Sequence, residues 1–163
     1  MSLLRLLGGG LVVVSAIVAS GEYSAYAKRR ILQYEGLIAL FSHAEGMISR
    51  FLASGDGLLR GFENEELERV GMLSILREEE SLQSAFEKCE SRLALSVETK
   101  ERIKDFLSTV GRGYREGEVA SFSAFITSLK EEMSVESERL DKSVKVTRAL
   151  LIGGSLAFLI MII

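Results

Sequence analysis

The side chains in this chain that could do chemistry are few and scattered. His43 is the only histidine, and it stands close to Glu45. A histidine beside a carboxylate can act as a general base when a nucleophile completes the set. No motif here supplies that nucleophile, so a packing or surface role is the plain reading of His43. Cys89 is the only cysteine, set among apolar positions at helical spacing, and reads as a small core residue. A lone cysteine makes neither an internal disulfide nor a cysteine-based zinc site, so no redox compartment is implied. Gly111-Arg112-Gly113-Tyr114 has the glycines of a phosphate loop. It lacks the Lys-Ser/Thr ending and follows a helix pattern rather than a strand, so it reads as a helix stop. Glu78-Glu79-Glu80 reads as a solvated face. No catalytic, cofactor-binding or metal-binding residue is assigned, and the chain is expected not to be an enzyme.

Glu45 occupies a place on an apolar stripe between Phe41 and Ile48. A carboxylate there either reaches water at the stripe edge, is buried in a pair, or contacts a neighbouring protein. The net charge of −3 gives no bulk electrostatic case for nucleic acid, and nothing points to a small-molecule substrate.

The elements that would position these residues are dominated by the two ends. Residues 6–21 carry no charge, and residues 149–163 read ALLIGGSLAFLIMII. A membrane-spanning helix needs about 20 predominantly apolar residues. The first segment reaches that length as 3–21 if Arg5 snorkels outward, with Tyr23 and Tyr26 placed as an aromatic belt. The last run covers about 22 Å at helical rise and spans if Val144 to Thr147 enter the interface and the bilayer thins.

Basic residues flank both segments on their inner sides: Lys28, Arg29 and Arg30 after the first, Lys142, Lys145 and Arg148 before the second. Only Arg5 lies outside them. The lysine and arginine bias places the middle in the cytoplasm and both termini outside. The expected division is a transmembrane helix at 3–21, a cytoplasmic helical bundle at 22–144 and a second transmembrane helix at 145–163. A rival reading is a cleaved signal peptide ending near Ser20 or Ala27, which leaves an exported, C-terminally anchored helical adhesion or sensor module. The Lys28-Arg29-Arg30 cluster resists export and disfavours it. Small residues in the apolar segments stand at packing spacing: the triplet Gly8, Gly9 and Gly10, Ser15 with Ala19, Ala16 with Ser20, Gly153 with Ala157, and Gly154 beside them. They would let these helices approach each other or partner proteins closely, and they leave a homo-oligomer open.

The middle is all-α in pattern, and the chain has no proline to break a helix. Ile31, Tyr34, Ile38, Phe41, Ile48 and Leu52 form one stripe, so the first helix is expected to run to about Ala53 and end at the Ser54-Gly55-Asp56-Gly57 turn. A short helix is expected at 58–62 and a longer one at 65–79. Ser81 is the expected cap of a helix to about Leu95, and Ser96 of one at 97–110. The last helix starts near Gly117, carries Phe122, Ile126, Leu129, Met133, Ser137, Leu140 and Val144 on one face, and runs into the C-terminal apolar segment. A membrane-anchored antiparallel helical bundle is the expected architecture.

The tail Lys145-Val146-Thr147-Arg148-Ala149-Leu150-Leu151-Ile152-Gly153-Gly154 and its apolar end resemble the C-terminus of the stage III sporulation protein AB family. The glycine-bearing first segment, Arg29 or Arg30, a leucine-rich helix with an acid at Glu45, and Val110-Gly111 followed by Glu116 to Glu118 are similar to that family too. The chain departs from the family pattern at Gly57-Leu58, where a Pro-Leu step is usual, and at Phe86, the nearest counterpart of a common tryptophan. The resemblance implies a membrane component of the mother cell–forespore complex, on the mother-cell side of the forespore membrane system. It also implies similarity to the inner-membrane platform protein of type II secretion. The implied partners are the membrane, channel or secretion-type membrane proteins and a cytoplasmic assembly ATPase.

Overall fold

A computed structural model of the chain describes residues 3–50, 61–79, 81–111 and 114–162. The described residues form six α-helices and no strand: α1 Leu3–Ser49, α2 Glu65–Arg69, α3 Met72–Glu79, α4 Leu82–Cys89, α5 Val97–Thr109 and α6 Arg115–Ile162, with a single 3-10 turn at Glu90–Arg92. The long first and last helices follow from uninterrupted helical spacing in a chain without proline. By its contacts the chain separates into two compact units, Met1–Lys28 with Val135–Ile163, and Arg29–Ser134.

In the second unit, the stripe of α1 is buried through Tyr34, Leu37, Ile38, Phe41, Ala44 and Ile48. Thr99, Ile103 and Leu107 of α5 and Phe122, Ile126 and Leu129 of α6 are buried at the same three-four spacing. Phe41 packs edge-on to Phe106, Phe122 and Phe125, with ring centroids 5.9, 6.4 and 5.7 Å away. Leu67, Met72 and Leu73, then Leu82, Ala85, Phe86 and Cys89, extend this core through α2 to α4.

The short helices start where side-chain oxygens satisfy orphan backbone donors. Asn64 Oδ1 accepts from the Leu67 amide at 3.0 Å, and Ser96 Oγ accepts from the Thr99 amide at 3.1 Å. Ser81 Oγ accepts from the Ser84 amide at a longer 3.4 Å. The two expected serine caps are therefore the caps of α4 and α5.

Three expected boundaries differ. The helix expected over 65–79 is broken into α2 and α3 because Gly71 adopts φ +79°, a left-handed conformation that an α-helix does not continue through. The helix expected to reach Leu95 ends at Cys89, tightens into the 3-10 turn and becomes extended at Leu93. The last helix starts at Arg115, with the Glu118 amide bonded to the Tyr114 carbonyl at 3.0 Å. Gly111, at φ +83°, closes α5 as expected. Leu52, Ala53, the turn at 54–57 and the start of the expected short helix lie outside the described residues, and Phe62 is not helical.

In the first unit, α1 and α6 pack through narrow faces. Gly9, Ala16, Ser20 and Ala27 are buried on α1, and Leu140 and Ser155 on α6. Tyr23 Oη and Ser143 Oγ are hydrogen-bonded at 2.7 Å across that contact. The chain leaves this unit after Lys28 and returns at Val135, so the two segments run antiparallel, with Tyr23 level with Ser143.

Candidate functional site: an apolar surface and an interhelical polar cluster

The residues singled out for chemistry do not assemble into one site. Among the described residues, no three His, Cys, Asp or Glu side chains come together as a metal cluster. His43 tilts against Phe62 at 5.4 Å between ring centroids, and its buried Nε2 has no hydrogen-bond partner among the described residues. Cys89 is fully buried, and burial pushes its thiol up to about 11. A thiol in that state is a core side chain rather than a nucleophile. Glu45 is half-buried at the edge of the α1 stripe, and no hydrogen bond or ion pair is recorded for it among the described residues.

The most developed polar site joins α1, α5 and α6 within the second unit. Tyr34 Oη lies 2.9 Å from Thr99 Oγ1 and donates to Glu132 Oε1 at 2.9 Å. Thr99 Oγ1 also bonds to Glu132 Oε1 and lies 2.6 Å from Ser96 Oγ. Arg102 closes the cluster by donating Nη1 to Glu132 Oε2 at 2.6 Å and Nη2 to Ser128. Burial pushes the Tyr34 hydroxyl up to about 12, with Thr99 opposing the shift and Glu132 adding to it. Each member has a partner, so the cluster fixes helix register at little desolvation cost. The Tyr34 side chain was legible only as an apolar-stripe residue, because its partners lie 65 and 98 positions away.

Two further tertiary bonds tie the same unit. The Ala94 amide donates to Gln33 Oε1 at 2.6 Å. Arg115 donates from Nε to the Ile48 carbonyl at 3.0 Å and from Nη2 to the Ser49 carbonyl, satisfying the open end of α1. An open groove of about 560 Å³ between α2 and α3 is lined by Glu63, Asn64, Glu65, Glu68, Arg69, Leu73 and Arg77. Its arginines are engaged, Arg69 with Glu65 and Glu66 at 2.9 and 2.7 Å, and Arg77 with Glu68 at 3.1 Å.

The first unit carries the other feature that a soluble core does not explain. Leu11, Val14, Ile17 and Val18 of α1 are more than half exposed, as are Val146, Leu150, Ile160 and Met161 of α6. Contiguous exposed side chains of this size mark an interaction surface. The helix from Gly8 to Ser49 is long and apolar enough to cross a membrane, the one such helix among the described residues. Of the small residues expected to mediate packing, Gly9 is buried, while Gly8, Gly10, Ser15, Ala19, Gly153, Gly154 and Ala157 are exposed within the unit. Ala16 and Ser20, a pair also expected from its spacing, are buried with Gly9 on α1, and Ser155 is buried on α6, beside the Tyr23–Ser143 hydrogen bond. Of the flanking cations, Lys28, Arg29, Lys142, Lys145 and Arg148 are exposed and Arg30 is half-buried.

The model of one protein family, stage III sporulation protein AB, matches residues 5–163, essentially from one apolar end to the other. The chain belongs to that family. No curated protein and no solved structure matches it. Membership in the stage III sporulation protein AB family ties the all-helical fold to sporulation, and the exposed apolar α1 is a segment that could anchor such a protein in a membrane.

Proposed function

We propose that this family member is a non-enzymatic membrane platform in a sporulation-associated mother cell–forespore channel or secretion-like complex. In this reading residues 3–21 and 145–163 both span the membrane, and the helical domain between them stands in the cytoplasm and engages a partner ATPase. The observation that carries the membrane part is the exposed apolar surface on both helices of the first unit. Each such side chain moved from water into lipid contributes roughly 1.5–3 kcal/mol. Leu150, Leu156, Phe158, Ile160 and Met161 favour the second span, and the cations at 28–30 and 142–148 favour the cytoplasmic side for the domain.

The platform part rests on family membership and on the family's likeness to secretion platform proteins, whose helical domains serve a separate motor. The test is to extract the tagged protein from membranes of sporulating cells and identify what accompanies it by mass spectrometry. A secretion-type ATPase together with other channel membrane proteins is the expected result. Their absence, from cells shown to contain them, would remove the platform reading. A mature N-terminus near Ser20 or Lys28 would instead favour the exported, C-terminally anchored module.

A further inference from the structure

The cations of the α6 segment in the first unit divide into two pairs. Arg139 and Lys142 are engaged with carboxylates of their own helix, Arg139 with Glu136 at 3.8 Å and Lys142 with Glu138 at 3.7 Å. Lys145 and Arg148, the two nearest the apolar end, are exposed and have no ion pair among the described residues. They stand one turn apart, and the same helical side continues as Ile152, Leu156 and Ile160 at intervals of four. Ile152 is half-buried, whereas Leu156 and Ile160 are exposed, and the small exposed Ala149 and Gly153 flank the stripe. Ser143, which holds the contact with α1, faces away from this side, and the buried Ser155, two turns beyond Arg148, borders it.

The stripe has the dimensions and polarity of a phospholipid. From Arg148 to Ile160 the helix rises about 18 Å, close to the roughly 15 Å hydrocarbon depth of one leaflet. The antiparallel register places Arg148 level with apolar α1 residues before Tyr23, so its guanidinium emerges at the edge of the exposed apolar surface. Two adjacent unpaired cations over an apolar stripe complement a phosphodiester that keeps its net negative charge. A zwitterionic headgroup neutralises its phosphate with its own ammonium.

We propose that Lys145 and Arg148 bind the phosphate of an anionic diacyl phospholipid whose acyl chains lie along Ile152, Leu156 and Ile160. This rests on the membrane-spanning part of the reading above and needs no protein partner. Each such cation near a headgroup contributes about 1 kcal/mol, so removing both weakens binding roughly thirtyfold.

The test uses the purified full-length protein in nanodiscs of phosphatidylglycerol and phosphatidylcholine in equal parts, with co-released lipid counted by native mass spectrometry. Phosphatidylglycerol is expected to be enriched over phosphatidylcholine on the wild type. K145Q/R148Q is expected to bring retention close to parity, and the charge-conserving K145R/R148K to keep the enrichment. Parity on the wild type, or unchanged enrichment on K145Q/R148Q, would overturn the proposal. Failure of the platform reading would show separately, as lost co-purification from cells with lipid selectivity intact.

Discussion

Tyr34 and Glu132 stand 98 positions apart in the chain and 2.9 Å apart in the fold. Their bond, shared with Thr99 and supported by Arg102, fixes the register of α1, α5 and α6 at one level of the helical domain. Tyr34 is almost fully buried, so its hydroxyl depends on these partners for the hydrogen bonds that water no longer supplies.

Tyr34→Phe removes that hydroxyl and leaves Thr99 and Glu132 bonded to each other. The expected loss is about 1–2 kcal/mol, read as a lower unfolding midpoint in detergent solution. The substitution also changes the alkaline limb. The folded hydroxyl titrates near 12, above its ordinary 10.0. Between those values the native state holds a proton that the unfolded chain has released, so this stabilisation is full below pH 10 and is lost as pH rises through 12. Wild type is expected to lose stability across that window more steeply than Tyr34→Phe.

Phe41→Ala opens the centre of the aromatic group, because Phe41 touches Phe106, Phe122 and Phe125 at once. The expected cost is about 3–5 kcal/mol. Denaturant unfolding followed by circular dichroism checks it, with Phe41→Leu expected to cost clearly less.

The α1 stripe, the caps at Ser81 and Ser96 and the stop at Gly111 were legible because each is a local signal of spacing, a cap oxygen or a flexible glycine. The break at Gly71 was hidden because a glycine inside a helical pattern does not announce its φ. The Tyr34–Thr99–Glu132–Arg102 cluster was hidden because no local rule pairs residues so far apart. The apolar ends were plain in the sequence, but the face by which they pack was not. Ser15 with Ala19 and Ala16 with Ser20 have the same spacing, and only the tertiary register separates exposed from covered.

Gly36 is one of the few positions where a methyl group has no room. A Cβ there would stand 2.8 Å from Asn64 Oδ1 and 3.0 Å from Leu67 Cγ. The same Asn64 oxygen caps α2, so Gly36→Ala is expected to displace the cap and lower stability despite the higher helix propensity of alanine. Thermal unfolding of Gly36→Ala beside Gly46→Ala, where the space is open, separates the clash from the propensity effect.

Cys89 is expected to resist alkylation in the folded protein at neutral pH. It is fully buried, and its thiol titrates near 11 rather than its ordinary 9.0. Maleimide uptake should be negligible in native conditions and reach one equivalent only with denaturant.

That inert cysteine makes the central claim accessible to a direct measurement. In a Cys89→Ala background, a cysteine replacing the exposed Glu68 reports the side of the membrane on which the helical domain stands. Intact sporulating cells would be treated with a membrane-impermeant maleimide, in parallel with permeabilised ones. Labelling of Glu68→Cys only after permeabilisation is the result that a cytoplasmic domain anchored at both ends predicts. Equal labelling in intact cells would place the domain outside and contradict the platform account.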